Sequence, residues 1–517
     1  MRFFNTAGPC NPDFHYMLPA TERLAGENLQ QLIAQQSYFI LHAPRQTGKT
    51  TAMLELARQL TASGNYAALL VTMEVGAAFP DDIDAAEQAI LGSWRDDIAF
   101  QLPAELAPPV WEEAPAGQRI AAALSLWARS IPRPLVIFID EIDALQNDVL
   151  ISVLRQLRAG HRRRPTAFPA SVALIGLRDV RDYKVASGGS ERLNTPSPFN
   201  VAVRSFTLRN FNFQEIAELL LQHTVESGQS FALPAQQAIY DLTQGQPWLV
   251  NALSKVCVEE LMLDRSQPVT SETIQRAKEI LIQRRQTHLG HLTERLREPR
   301  VRRVIEPILA GTLLGDLSED DREYCIDLGL VRRSNGGSLA IANPIYQEII
   351  PRALSSSTQD TLPAMKPIWL TGDGQLDTTR LLDAFLTFWR QHGQPLLLSA
   401  PYHEIAPHLV LMAFLDRVVN GGGTVDREYA VGSDKMDLLV RHRSTRLAIE
   451  IKVWRRGRPD PLSQGLQQLD NYLRGLSLPT GWLIIFDQRD NLPALSERTT
   501  SESATTPSGR VVTVIRA

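Results

Sequence analysis

The sequence predicts an α/β protein with two separate sheets. Three short, fully apolar runs predict the first: Tyr38–His42, residues 135–139 and residues 171–177. Runs without alternation are expected of parallel strands covered on both faces. The second sheet is predicted near the C-terminus. There residues 436–441 alternate, a polar turn follows, and "RLAIEIKVW" returns at 446–454. A length of 517 residues suits about three domains. An apolar content of 44% with 21% charge is ordinary for globular protein.

Bulk properties exclude several classes. The formal net charge is −4, so any nucleic-acid contact must come from local basic patches. Cys10, Cys257 and Cys325 are odd in number and far apart, with neither metal-ligand spacing nor a disulfide framework. A reducing cytoplasm is therefore expected. "MRFFNTAGPC" lacks the apolar core of a signal peptide. No run approaches the length that crosses a bilayer, so no membrane partner is expected.

The first strand runs directly into Ala43, Pro44, Arg45, Gln46, Thr47, Gly48, Lys49 and Thr50, with Thr51 next and an amphipathic pattern beyond. This is a phosphate-binding loop of the G-x-x-x-x-G-K-[ST] type, with Ala43 in place of the first glycine. Backbone N–H groups at a helix start attract polyphosphate. Lys49 is expected to reach the β- and γ-phosphates of ATP, and the Thr50 hydroxyl to ligate Mg²⁺. The second apolar run ends in Asp140 and Glu141. Strand C-termini hold ligands in open α/β sheets, so Asp140 is assigned to Mg²⁺ and Glu141 to polarising the attacking water. Asp143 reads as a helix N-cap or as an acid supporting the site from behind, with the cap favoured. Arg178, at the end of the third run, is a candidate γ-phosphate sensor. Arg204 is a weaker candidate, as a finger reaching a neighbouring subunit of a homo-oligomer.

Over about residues 15–260 these motifs resemble the AAA+-related ATPases of the STAND class. "LTQGQPWLVNALSKV" is similar to the turn of their helical lid, with Gly245 and Pro247 as its G-x-P. The resemblance implies that Pro247 approaches the nucleotide and that Arg23 contacts it. Further on, Ser318 is a helix N-cap, Asn335-Gly336-Gly337 a hairpin signal, and Asn343-Pro344 a helix start. Helix, hairpin and helix in that order resemble a winged helix. Residues 281–303 hold seven arginines against two glutamates, and "RAGHRRRP" is a second basic cluster. Such runs are solvated faces or trackers of a phosphate backbone. The expected division is an ATPase core over 1–210, a lid over 211–280, and a basic winged-helix-like part over 281–355. A linker and helix over 356–394 and a last domain over 395–517 complete it.

The last domain carries the second chemistry. Treating 436–453 as a hairpin centred between Arg443 and Ser444 sets Asp437 opposite Glu450, with Lys452 on the same face as Glu450. Opposed side chains have β-carbons about 5 Å apart. Two carboxylates so placed repel each other unless a divalent cation lies between them. This D…E-x-K arrangement resembles the PD-(D/E)XK nuclease superfamily. The resemblance implies a restriction-endonuclease-like fold, with Asp437 and Glu450 as ligands of Mg²⁺ (or Mn²⁺) and Lys452 steadying the phosphate. Glu404 stands where the family has its first-helix acid, and Gln468 with Tyr472 matches its Q-x-x-x-Y element. The expectation is an ATP-controlled endonuclease on DNA rather than RNA, in bacterial defence or mobile-element biology. The alternative is a STAND-type regulatory ATPase whose last domain binds nucleic acid or a partner without cutting.

Overall fold

Strand β1 (Tyr38–His42) is apolar from Tyr38 to Leu41, as suits a strand with both faces covered. Tyr38 and Ile40 enter one core, while Phe39 and Leu41 enter another. The computed structural model describes residues 2–24, 29–178, 201–284, 294–310, 317–334, 337–362, 367–399, 405–419, 423–428 and 437–517. The chain divides into two units. The first is Met1–Arg284 with Glu323–Arg332 and Ala342–Pro344; the second is the remainder.

In the first unit, α1 (Leu29–Ala34) and β1 precede α2 (Lys49–Ala62), β2 (Ala67–Thr72), α3 (Ile83–Gln101) and α4 (Arg119–Ser130). Then come β3 (Leu135–Asp140), α5 (Asn147–His161), β4 (Ser171–Gly176) and β5 (Ala202–Thr207). The strands form one sheet in the order β2-β3-β4-β1-β5, with every pairing parallel. The three apolar runs are thus β1, β3 and β4, lying side by side. Strands β2 and β5 were not anticipated. Trp94, Trp127 and Leu154 pack on one face, and Leu56, Ala57 and Leu60 of α2 on the other. Parallel strands place all their C-terminal ends at one rim, which therefore holds the β1–α2 loop and Asp140.

A helical lid follows: α6 (Phe213–Ser227), α7 (Leu233–Thr243), α8 (Pro247–Val256) and α9 (Ser271–Arg284). Asn212 and Glu215 form a capping box at the start of α6. At the start of α8 the Gln246 side chain accepts from Leu249 N–H at 2.6 Å, and Pro247 fills the first helical position. Gly245 takes φ 72°, and a Cβ there would stand 1.8 Å from the Phe211 carbonyl oxygen. Alanine at 245 therefore meets backbone as well as an unfavourable φ. Gly245→Ala is expected to destabilise the first unit by at least about 2 kcal/mol. Chemical denaturation checks it, and a midpoint equal to the parent's would contradict it.

The middle of the chain contains α10 (Pro299–Ala310), α11 (Glu319–Asp327), β6 (Val331–Arg333), β7 (Leu339–Ile341) and α12 (Pro344–Thr361). Ser318 Oγ accepts from Asp321 N–H at 3.1 Å, as an N-cap should. Ser334 N–H donates to the Ser338 carbonyl at 2.7 Å across the hairpin; Asn335 and Gly336 lie outside the described residues. Helix α12 continues to Thr361, so the composition change near 355 falls inside a helix rather than at its end.

The second unit contains α13 (Thr378–Ser399), α14 (Ala406–Val419), β8 (Gly423–Glu428), β9 (Asp437–His442) and β10 (Thr445–Trp454). It ends with α15 (Leu462–Gly475), β11 (Gly481–Asp487), α16 (Leu495–Arg498), β12 (Thr500–Thr505) and β13 (Val511–Arg516). The mixed sheet runs β12-β13-β11-β10-β9-β8. Strands β8, β9 and β10 pair antiparallel, whereas β10, β11 and β13 pair parallel. Phe385, Trp389 and Phe414 of α13 and α14 cover one face, against Ile449 and Ile451. Leu469 and Leu473 of α15 cover the other, against Ala448 and Leu483. No helix among the described residues is long and apolar enough to cross a membrane.

Candidate functional site

The β1–α2 loop turns on two residues of positive φ, Gln46 (59°) and Gly48 (92°). Glycine alone takes 92° without strain. The turn delivers the first residues of α2, whose N–H groups have no intrahelical acceptor, to a cavity of about 380 Å³. Lys49 Nζ donates to the carbonyls of Ala43 (2.8 Å) and Pro44 (3.1 Å), and Thr47 Oγ1 donates to Pro44 at 2.8 Å. Ala43 and Pro44 thus act through their backbone, and a small residue at 43 serves because it is buried. Burial lowers the pKa of Lys49 from the usual lysine value, opposed by Asp140, Asp143 and Glu141.

Thr50 Oγ1 donates to Asp140 Oδ2 at 2.6 Å, and Glu141 N–H donates to Asp140 Oδ1 at 2.9 Å. A hydroxyl beside a buried carboxylate is a hard-oxygen donor set of the kind Mg²⁺ takes. Burial raises the pKa of Asp140, and the Thr50 bond opposes it. Glu141 lies in the left-handed region (φ 53°, ψ 37°) and lines the cavity. A non-glycine residue held there stores strain of about 1–3 kcal/mol, a recurring feature of reacting sites. Burial, then Asp140 and Asp143, raise the pKa of Glu141. Asp143 is not a helix cap: its Oδ1 accepts from Leu177 N–H at 3.2 Å, tying β3's end to β4's.

Arg45, Gln46, Gly48, Lys49, Thr50, Thr51, Glu141 and Pro247 all line this cavity. Arg23 does too. Its Nε and Nη2 donate to the Arg209 carbonyl at 3.0 and 2.6 Å, and its guanidinium stacks on Phe211. Burial pushes its pKa down to about 10. Residues 5–10 and Trp248 also line it, and nothing in the sequence points to them as its wall. Cys10 N–H donates to Thr51 Oγ1 at 3.1 Å, and Trp248 Nε1 donates to the Thr6 carbonyl at 2.9 Å. The Gly8-Pro9 turn was the sole local signal, and it names no partner.

Arg178 stands elsewhere. It is buried and does not line the cavity; its Nε donates to Asp327 Oδ2 at 3.3 Å, and its guanidinium lies over Tyr324. Asp327 also pairs with His42 Nδ1 at 3.5 Å. The sensor position is therefore occupied by an arginine that this structure holds to the end of α11. Arg204 is exposed on strand β5, away from the cavity lining.

In the second unit, β9 and β10 pair from Thr445↔His442 to Ile449↔Leu438. One further step in that register sets Asp437 opposite Glu450. The side chain of Asp437, and all of Glu404, lie outside the described residues. Alternation along β10 sends Leu447, Ile449 and Ile451 toward α13 and α14, and Ala448, Glu450 and Lys452 toward α15. Glu450 is 2% exposed, and Lys452 Nζ meets its Oε1 at 2.7 Å. From α15, Tyr472 packs against the cluster containing Ala448. The side-chain amide of Gln468 is buried with no hydrogen-bond partner among the described residues. An unsatisfied buried amide costs about 1–3 kcal/mol and calls for a ligand or water. Among the described residues, no three His, Cys, Asp or Glu side chains converge as a metal group.

A family model described as an AAA-like domain matches residues 20–349, nearly two thirds of the chain. No curated protein matches it. Similar solved structures include a Walker-type ATPase of Pyrococcus abyssi, 12% identical, covering 67% of this chain and 99% of its own, at TM-score 0.46. The RuvB Holliday junction branch migration motor of Thermotoga maritima is 16% identical, covering 62% and 91%, at TM-score 0.34. Cdc6p of Pyrobaculum aerophilum is 13% identical, covering 64% and 91%, at TM-score 0.34.

Proposed function

Because the chain belongs to the AAA-like domain family, we propose that ATP bound and hydrolysed in its first unit controls phosphodiester cleavage by its second. The ATPase half of this reading is carried by the Thr50–Asp140 bond beside a strained, cavity-lining Glu141. Lys49 would leave its loop carbonyls for the β- and γ-phosphates, Thr50 and Asp140 would hold Mg²⁺, and Glu141 would take the proton of the attacking water. Bound Mg²⁺ supplies charge neutralisation on the phosphates.

The nuclease half is carried by one observation: the Glu450–Lys452 pair lies on the face of β10 that α15 covers, where the Gln468 amide has no hydrogen-bond partner among the described residues; continuing the β9–β10 register by one step would bring Asp437 opposite Glu450. The order α14, β8, β9, β10, α15, β11 supports reading the unit as a PD-(D/E)XK core. Lys452 would stabilise charge growing on the scissile phosphate. Control by ATP requires that the nucleotide favour one arrangement of the chain over another.

The 2.7 Å Glu450–Lys452 pair also favours a second reading, a regulatory ATPase whose second unit binds without cutting. A structural ion pair needs no substrate. The test is cleavage of plasmid and single-stranded DNA, with RNA in parallel, in Mg²⁺ or Mn²⁺ and with ATP, ADP or neither. The expected result is metal-dependent DNA cleavage whose rate changes between ATP and ADP. Intact ATP hydrolysis with no cleavage in any state would select the second reading.

A further inference from the structure

We propose that the rim of the first sheet opposite the nucleotide site is a docking surface for the phosphodiester backbone of a nucleic acid. It rests on the proposed function only for the class of partner and requires no cleavage. All five strands begin at this rim, because all run parallel. Helices α2, α4 and α5 end there. Helix α2 has 14 residues, so the rim lies about 20 Å from the phosphate loop at 1.5 Å per residue. A partner docked on it would not compete with ATP.

Residues 58–66, 129–134 and 155–170 reach the rim, and they contain eight arginines, no lysine, no aspartate and no glutamate. A chain of net charge −4 does not place eight like charges on one edge by composition alone. Arg155, Arg162 and Arg163 are exposed. Neutral partners orient several of the others. Arg164 Nε donates to the His161 carbonyl at 2.8 Å while its guanidinium lies 5.0 Å from the Tyr38 ring. Arg133 Nη1 donates to the Thr61 carbonyl at 3.4 Å. Carbonyls and rings fix a guanidinium without cancelling its charge.

The helix dipole explains part of this pattern. A cation in the last turn complements the C-terminal end of a helix, as Arg129 does for α4. It does not explain Arg155, which precedes the last turn of α5, or Arg163, which lies beyond the Arg162 cap. Arginine suits phosphate, because its planar fork bonds phosphate oxygens in pairs. Spread over three segments, the charges suit a long polyanion better than one bound ion.

Binding of the full-length protein to a labelled random-sequence DNA duplex, read by fluorescence anisotropy in EDTA over a range of salt, tests this. The variant is Arg155→Gln, Arg162→Gln and Arg163→Gln combined, which keeps exposed helix-compatible side chains. Affinity is expected to fall at least about tenfold, and the slope of log affinity against log salt to become shallower by about 2–3. ATP turnover should not change. Parent-like affinity and slope in the variant would overturn the docking surface while leaving cleavage by the second unit standing. A rim-dependent slope in a protein that never cuts would uphold the surface and remove the nuclease. Preferential binding to anionic vesicles, or full displacement of the duplex by polyglutamate, would also overturn it.

Discussion

Replacing Glu141 by glutamine lowers steady-state ATP turnover by at least about 100-fold and leaves ATP affinity within a few-fold of the parent. The two effects separate because phosphate binding belongs to the loop. Lys49 and the first N–H groups of α2 are untouched by the substitution. The Thr50–Asp140 pair also remains. What is lost is a base at the cavity wall. Because Glu141 must be ionised to accept a proton, turnover rises with pH as its carboxyl deprotonates. Its folded pKa lies above the ordinary value of 4.5, pushed up by burial and then by Asp140 and Asp143. The acid limb of kcat/KM is therefore displaced upward from that value. Asp143→Asn removes one of the repelling charges and should move the limb back down. Lys49→Ala serves as the contrasting control, with nucleotide affinity itself lost. A Glu141→Gln enzyme turning over at the parent rate would remove Glu141 from the reaction.

What the sequence made legible was whatever is local in the chain. The phosphate loop needs a strand, a turn and a helix start within about a dozen residues, and all three are contiguous from Tyr38 to Thr50. The β9–β10 register was legible for the same reason: a short polar turn fixes which residues oppose. Gly245 was legible through the resemblance of "LTQGQPWLVNALSKV" to a lid turn, a motif that is also local. Features assembled across the chain were not. The wall at residues 5–10 is joined to α8 by a bond spanning 242 positions, from Trp248 to Thr6. Arg178 sits at the strand end where a sensor belongs, yet its partner Asp327 is 149 residues away. Nothing in "GLRDV" announces that pairing. Acids commonly begin helices, so "DEID" reads locally as a helix start with Asp143 as its cap. Its true acceptor role depends on how β4 lies beside β3, which is a property of the sheet.

The largest effect in the second unit is expected at Lys452. Lys452→Ala removes the cation that Glu450 meets at 2.7 Å, and removing one member of a buried ion pair costs about 3–5 kcal/mol. Loss of cleavage in that variant alone would therefore be ambiguous between unfolding and chemistry. The combined variant Glu450→Gln with Lys452→Met resolves it. Both replacements approximate the original volumes, and neither leaves a charge behind, so stability should return to within about 1–2 kcal/mol of the parent. If the pair exists only to hold β10 against α15, this double variant recovers every property of the parent. If Glu450 holds the metal and Lys452 steadies the scissile phosphate, the double variant folds, binds duplex through the first unit and hydrolyses ATP, yet cuts at least about 100-fold more slowly. Denaturant midpoints and cleavage rates measured on the same preparations decide between them. Stability returning together with parent-rate cleavage would mean that an acid and a base lie on that strand for architecture, and that neither Glu450 nor Lys452 takes part in cutting.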